Sequence, residues 1–290
     1  MNNDLTNLIY KTNSNLKNNY YDSFKNKKLP KSYFISIIIP VRGRVQFLKP
    51  LINSFKASIR RTQKKINITI VEHSNESSFK SECKELSLNY YWIKSEPDEH
   101  FNKSLCHNVG AIINKNSKYY LFHDLDCLVY DDFIETLVNG IEHKNISVTQ
   151  SFKGRRVLYL DEYTTNRVIS GLLPIIDIDI TTLVKSESGA PGGSILIDKN
   201  LFYDVGGFDP ELFFGYSPED SFMWSKIEHL KPILSADNEV LHMWHERLDK
   251  TNNVLSEMTE TLRQFNDLSK EDKRFFIDFK KNILINYSIL

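Results

Sequence analysis

The sequence predicts an α/β protein: a mostly parallel sheet flanked by helices, with a helical annex at the C-terminal end. Three observations predict it. Short runs rich in β-branched and aromatic residues recur at Ile35-Ser36-Ile37-Ile38-Ile39, Ile66 to Val71 and Tyr119-Tyr120-Leu121-Phe122, as in buried strands of parallel sheets. Segments with helical spacing fall between them, as at Phe47, Leu48, Leu51, Ile52, Phe55 and Ile59. Each run ends in a charged loop, at Arg42, Glu72 and Asp124. A βαβ alternation places such loops together on one sheet edge, where ligands of open α/β sheets bind.

In chain order, residues 1–31 read as a polar arm rich in Asn, Lys and Ser with some helical turns, and without the apolar core of a signal peptide. The first strand is closed by Pro40 and followed by the loop Pro40 to Arg44. A helix over Phe47–Ile59 leads to a strand over Ile66–Val71, and Tyr90 to Ile93 is a third, short strand. A helix over Ser104–Asn114 turns Leu105, Val109, Ile112 and Ile113 inward. The strand Tyr119–Phe122 then delivers Asp124-Leu125-Asp126, and residues 131–143 form a surface helix.

From Ser147 to Val184 the pattern weakens. Inserted structure is expected there, with strands over Val157–Leu160 and Ile175–Ile180. A glycine pair, Gly192-Gly193, opens a strand to Ile197, and a short helix from Lys199 stops at Gly206-Gly207. After an aromatic loop, Ser217-Pro218-Glu219-Asp220 starts a helix with proline early and acids in its first turn. Glu239 to Leu241 is the last strand. Val254 to Leu290 carries apolar residues at helical spacing and is expected to pack on the sheet, in preference to lying on a membrane surface. The expected division is therefore 1–31, 32–252 and 253–290.

Lys+Arg and Asp+Glu balance at 37 each. No global field draws in nucleic acid, so phosphate recognition has to be local. Cys83, Cys106 and Cys127 are odd in number and follow neither a metal spacing nor a disulfide framework, which points to a reducing cytoplasm. The apolar run Tyr33–Val41 is too short to span a bilayer. A cytoplasmic chain is expected, at most peripheral to the inner face of the membrane. The Asn/Lys/Ile-rich composition fits an AT-rich bacterial genome.

Four stretches carry chemistry. Asp124 and Asp126, two apart after a strand, point the same way and suit a hard cation such as Mg²⁺ or Mn²⁺; a turn aspartate is the bland alternative. Arg42 and Arg44 can fork onto phosphate, or simply face solvent. Glu219-Asp220 offers either a capping pair or a general base. His242 and His245 can converge on a metal, or be structural.

Taken together and in order, these stretches resemble the β-1,4-galactosyltransferase family of GT-A glycosyltransferases, with kinship to chondroitin-polymerase and family-two glycosyltransferase domains, from about Ile37 to Asp249. Pro40-Val41-Arg42-Gly43-Arg44 is similar to the family's P-F-R-x-R. Phe101-Asn102-Lys103-Ser104 with Asn108-Val109-Gly110 is similar to F-N-R-A with N-V-G, and His123-Asp124-Leu125-Asp126 to H-D-V-D. Pro191-Gly192-Gly193 resembles F-G-G, and Gly215-Tyr216-Ser217-Pro218-Glu219-Asp220 resembles G-W-G-G-E-D. His242-x-x-His245 with Arg247 and Asp249 resembles the metal-binding (M or H)-x-x-H-x-R-D segment.

The resemblance implies a Rossmann-like GT-A sheet and a metal-dependent, inverting transfer from a UDP-sugar to a glycan, glycolipid or glycoprotein hydroxyl. It implies donor contacts from Pro40, Arg42, Arg44, Glu72, Phe101, Lys103, Asp124, Leu125 and Gly193, and acceptor contacts from Gly192, Tyr216 and Glu219. Asp126, His242 and His245 would hold Mn²⁺, with Mg²⁺ as the alternative, and Asp220 would be the base. Tyr216 and Ser217-Pro218 replace Trp and a glycine pair, which bears on the acceptor. Ala190 is small enough beside the donor to admit an N-acetyl group, so galactose and N-acetylgalactosamine both remain. Lys103 replaces Arg. Glu246 to Asn253 reads as a lid. The competing classes are a nucleotidyltransferase, which usually wants a glycine-rich phosphate loop, and a glycosyltransferase-fold binding module without activity.

Overall fold

A computed structural model describes residues 2–15, 32–185, 192–246 and 252–289. Helix α1 spans Asn3–Asn15. The β-branched run becomes strand β1, Ile35–Val41, buried along its whole length. Helix α2 (Leu48–Ile59), strand β2 (Ile66–Ser74), helix α3 (Lys80–Glu85) and strand β3 (Asn89–Lys94) follow. Helix α4 (Lys103–Ile113) leads to strands β4 (Tyr119–His123) and β5 (Cys127–Val129). Next come helix α5 (Phe133–Lys144), strands β6 (Val148–Gln150) and β7 (Leu158–Tyr159), helix α6 (Glu162–Ile169) and strand β8 (Val184–Lys185). Strand β9 (Ser194–Asp198), helices α7 (Lys199–Asp204) and α8 (Glu219–Leu230), and strands β10 (Leu234–Ser235) and β11 (Val240–His242) precede the annex helices α9 (Asn252–Asp267) and α10 (Lys270–Ile289).

Among the described residues the strands form two sheets. The larger has the order β10-β6-β9-β4-β1-β2-β3. Its pairs are parallel except where β9 runs against β4 and β6. The smaller has the order β5-β11-β7-β8. This is the mostly parallel, helix-flanked sheet expected from the sequence. Register sets the functional edge. Val41 pairs with Glu72, and Ile38 with Phe122, so the loops after β1, β2 and β4 leave the sheet on the same side.

Two apolar layers cover the large sheet. One packs α2 and α5 against Ile35, Ile37, Ile39 and Leu121. The other packs α4, α7 and α8 against Ile38, Tyr120 and Phe122. Gly110 allows α4 to sit close, because a Cβ there would overlap the side chain of Ile38.

A third cluster joins α1, α8, α9 and α10 through Leu5, Leu8, Phe222, Phe265 and Phe276. The arm expected over residues 1–31 thus contains a packed helix. Leu5, Leu8 and Thr12 recur along one of its faces and are buried. The strand expected over Ile175–Ile180 is corrected to two single 3₁₀ turns, Ile175–Asp177 and Ile180–Thr182. Its alternating Ile/Asp pattern mimics a strand, but the Asp179 side chain accepts from Thr181 N at 3.0 Å and closes a turn instead. No helix among the described residues is long and apolar enough to cross a membrane.

Candidate active site

Two clusters of charged side chains stand side by side at the sheet edge. The first is built by β5 and β11. These strands pair antiparallel with His242 opposite Cys127, and Met243 N donates to Asp126 O at 2.8 Å. That pairing brings His242, from the far end of the chain, next to Asp126. His245 Nε2 lies 3.1 Å from Asp126 Oδ2, and His242 Nε2 lies 3.8 Å from Oδ1. Arg44, at the end of the β1 loop in a left-handed conformation (φ 57°), reaches the same carboxylate at 3.2 Å. Burial alone would raise the Asp126 carboxyl, but His245, His242 and Arg44 outweigh it and hold it below the ordinary carboxylate range.

One ligand atom from each of Asp126, His242 and His245 lies within 4.8 Å of the others. Two imidazoles and one carboxylate are a fitting donor set for a divalent transition ion and leave positions open. His242 Nδ1 is buried without a hydrogen-bond partner, and Nε2 is the nitrogen that faces Asp126.

The second cluster surrounds Lys103, the first residue of α4. Its ammonium lies 3.0 Å from Asp124, 2.8 Å from Asp220 and 3.3 Å from Glu219. Asn102 sets this position. Its side chain caps α4 by accepting from Leu105 N at 2.8 Å, and its amide donates to Pro210 O at 2.8 Å. Burial depresses the Lys103 pKa, but its three carboxylate neighbours override that and raise it well above the ordinary lysine value. Glu219 is pushed up to about 8, by burial first and then by Asp220, against the pull of Lys103. Asp124 is also raised, by burial first and with Asp220 and Asp126 adding to it, against the pull of Lys103.

Gly193, at φ +91°, accepts from Asp124 N at 2.8 Å and ties β9 to the D-x-D loop. Gly192 backs onto Asp220; a Cβ there would overlap that carboxylate. Gln150 holds the Gly192 carbonyl at 3.2 Å.

The remaining sequence-nominated residues are spread around these clusters. Pro40 lies within β1 and is buried, and Arg42 donates to the Glu99 carbonyl at 2.5 Å. Phe101 is half-buried, its ring 6.4 Å from His73, and its carbonyl accepts from Gly215 N at 2.7 Å. Tyr216 is 64 % exposed.

Two residues face away from the clusters. Leu125 turns its side chain into the core. Glu72 is fully buried, and its oxygens accept from Ser74, Ser78, Phe79 N and Tyr90. It holds the loop after β2 rather than facing either cluster. Ala190, Pro191, Arg247 and Asp249, and most of the segment read as a lid, lie outside the described residues.

Sequence reasoning did not foresee that Lys103 grips three carboxylates, nor that Asn102 and Gln150 brace the site. The Asn before an apolar helix in Phe101-Asn102-Lys103-Ser104 was the available signal for Asn102.

A mixed sheet of this order, with its charged site at one edge, has the GT-A architecture that solved structures share. The chain is similar to the catalytic domain of Drosophila β1,4-galactosyltransferase 7 solved with xylobiose (15% identity, 82% of each chain covered, TM-score 0.51). It is similar to Mycobacterium tuberculosis glucosyl-3-phosphoglycerate synthase solved with Mn²⁺, UDP and glucosyl-3-phosphoglycerate (12% identity, 79% of this chain and 78% of that, TM-score 0.52). It is also similar to residues 1–349 of S. aureus TarS solved with UDP-GlcNAc (13% identity, 82% and 69%, TM-score 0.53). At these identities the likeness speaks for the fold. The profile of the family described as glycosyltransferase like family 2 matches residues 36–282, and the chain belongs to that family. That membership decides against the nucleotidyltransferase reading. No curated protein matches the chain by sequence.

Proposed function

We propose that the chain is an inverting transferase moving galactose, or N-acetylgalactosamine, from a UDP-sugar to a hydroxyl of a glycan or glycoconjugate acceptor, with surface-glycan assembly as its setting. The observation that carries this reading is the adjacency of the two clusters: an Asp/His/His set within 4.8 Å, beside a carboxylate pair anchored on Lys103 at 2.8 and 3.3 Å.

Asp126, His242 and His245 would hold Mn²⁺, or Mg²⁺ in its place. Such an ion would supply charge neutralisation and orientation for a leaving diphosphate. Arg42 and Arg44 provide planar guanidinium forks for phosphate or a pyrimidine carbonyl at the same end of the site. Asp220 takes the proton of the acceptor hydroxyl as that oxygen bonds to the anomeric carbon. The bond from that carbon to the diphosphate breaks on the opposite face, which inverts the centre. Glu219, beside Asp220 in the first turn of α8, contacts the acceptor. Lys103 keeps Asp124 and Asp220 from repelling each other and faces the donor.

A panel of UDP-sugars with Mn²⁺, read by released UDP, tests the donor. The expected best substrates are UDP-galactose or UDP-N-acetylgalactosamine; equal, negligible release from all of them would leave a binding module. Asp220→Asn is expected to lower turnover about 10²- to 10⁴-fold while UDP binds with Mn²⁺ as in the parent. Near-parental turnover would remove Asp220 from the base role.

A further inference from the structure

Four ionisable side chains lie in the interior behind the site: Lys226 of α8, Lys280 of α10, and Asp209 and Glu211 of the loop between α7 and α8. None is more than 5% exposed. Lys226 pairs with Asp209 and also donates to the Gly207 carbonyl; Lys280 pairs with Glu211 and lies 3.3 Å from Asp209. The set is balanced, two positive against two negative. Isolated charges at such depth would be costly, and even a satisfied buried ion set is weak as a source of stability. Its connections indicate a different use.

Pro210, between the two acids, carries the carbonyl that receives the Asn102 side chain at 2.8 Å. Asn102 adjoins Lys103, which grips Asp220 at 2.8 Å. Lys226 lies on the helix that presents Glu219 and Asp220 in its first turn. The quartet therefore fastens both sides of the Lys103–Asp220 contact to one point: the α4 side through Pro210, the α8 side through Lys226. Lys280 adds the annex as the third support. At Gly206 the chain passes so close to α10 that a Cβ would stand 2.6 Å from Lys280 Cβ. Helix α10 is thereby held in register with the loop.

We infer that the buried quartet is a positioning device for the reaction. Lys280, more than twenty residues beyond the last strand, fixes the Asp209-Pro210-Glu211 segment and through it the placement of Asp220 against Lys103. Lys280 touches no substrate and acts through these partners. The inference rests on Asp220 being the base.

The experiment uses the full chain with Mn²⁺ and the preferred UDP-sugar, read as UDP release, beside the parent and Asp220→Asn. Lys280→Met leaves an unbalanced acid, so the informative variant is the charge-balanced pair Lys280→Met with Glu211→Leu, whose thermal melt should recover toward the parent. The expected result is a kcat lowered about tenfold or more, as misplacement of a reacting group by an ångström or so allows, at a KM for the UDP-sugar within about threefold of the parent. A folded double variant with parental kcat overturns the inference, since a purely structural role is restored with stability. If the double variant does not fold, the milder neutral pair Lys280→Gln with Glu211→Gln is read in its place. It should lower kcat at an unchanged KM, and a parental kcat there likewise overturns the inference. Parental turnover by Asp220→Asn in the same assay is the separate result that removes the base assignment.

Discussion

At the scale of single residues, the site is an exercise in compensated burial. Asp126 is nearly enclosed yet stays ionised, because three cationic or imidazole groups face it. Asp126→Ala and His245→Ala are each expected to weaken Mn²⁺ binding at least about tenfold, a loss that even outer partners of metal ligands produce; titration calorimetry measures it. His123 shows the opposite solution. Its ring packs edge-on against Phe55 (4.8 Å) and Phe133 (6.0 Å), with Nδ1 at 2.8 Å from Ser194 Oγ and Nε2 at 2.6 Å from the Cys127 carbonyl. Burial drives it down to about 4 against the pull of Cys127 and Asp126. Between about pH 6.5 and 4 the unfolded chain binds this proton and the native ring does not. Stability is therefore lost as pH falls through that window, by as much as about 3 kcal/mol from this group. Urea midpoints against pH are expected to show this limb flattened in His123→Gln.

At the scale of elements, close approach of α4 to β1 fixes where Asn102 and Lys103 stand. Alanine is a better helix former than glycine by about 1 kcal/mol, so Gly110→Ala would be stabilising on an exposed helix. Here the added methyl meets Ile38. The expectation is destabilisation of about 1–3 kcal/mol, as for other overpacked cores, and less in an Ile38→Ala background, which removes the Cγ2 that the methyl meets. Chemical denaturation of the two variants measures it. The same close packing explains why α4 is buried at nearly every position, although its sequence reads as an amphipathic helix.

At the scale of the whole molecule, the annex belongs to the catalytic body. Phe222 of α8 packs on Phe265 at 4.8 Å and on Phe276 at 6.1 Å, so the helix that starts with Glu219 and Asp220 rests on the last two helices. Phe276 is fully buried, whereas Phe275 beside it is 51% exposed. Phe276→Ala is expected to cost about 3–5 kcal/mol and Phe275→Ala within about 0.5 kcal/mol, measured by urea unfolding. The residues Phe276, Ile277, Lys280 and Leu284 all face the protein interior. That face of α10 is spent on packing, not left for a membrane surface.

The sequence by itself determined the elements and the order of the motifs. Period-two and 3.6-residue patterns are local properties, so β1, β2, β4, α2 and α4 were legible, as was the succession of Arg42, Asp124-x-Asp126, Glu219-Asp220 and His242-x-x-His245. Where local pattern and local chemistry conflicted, as at Ile175–Ile180, the Asp179 turn won and the reading failed. Only the tertiary structure decided which of these groups meet. His242 reaches Asp126 because β11 pairs with β5. Lys103 grips three carboxylates because α4 and α8 converge. Glu72, legible as a loop carboxylate, turns inward because Ser78, Phe79 and Tyr90 supply donors there. The docking of helix α1 and the Lys226–Asp209–Lys280–Glu211 quartet leave no local trace, since each depends on partners far away in the chain. Strand register and helix packing set distances between such segments, and the residues of one segment do not encode them alone.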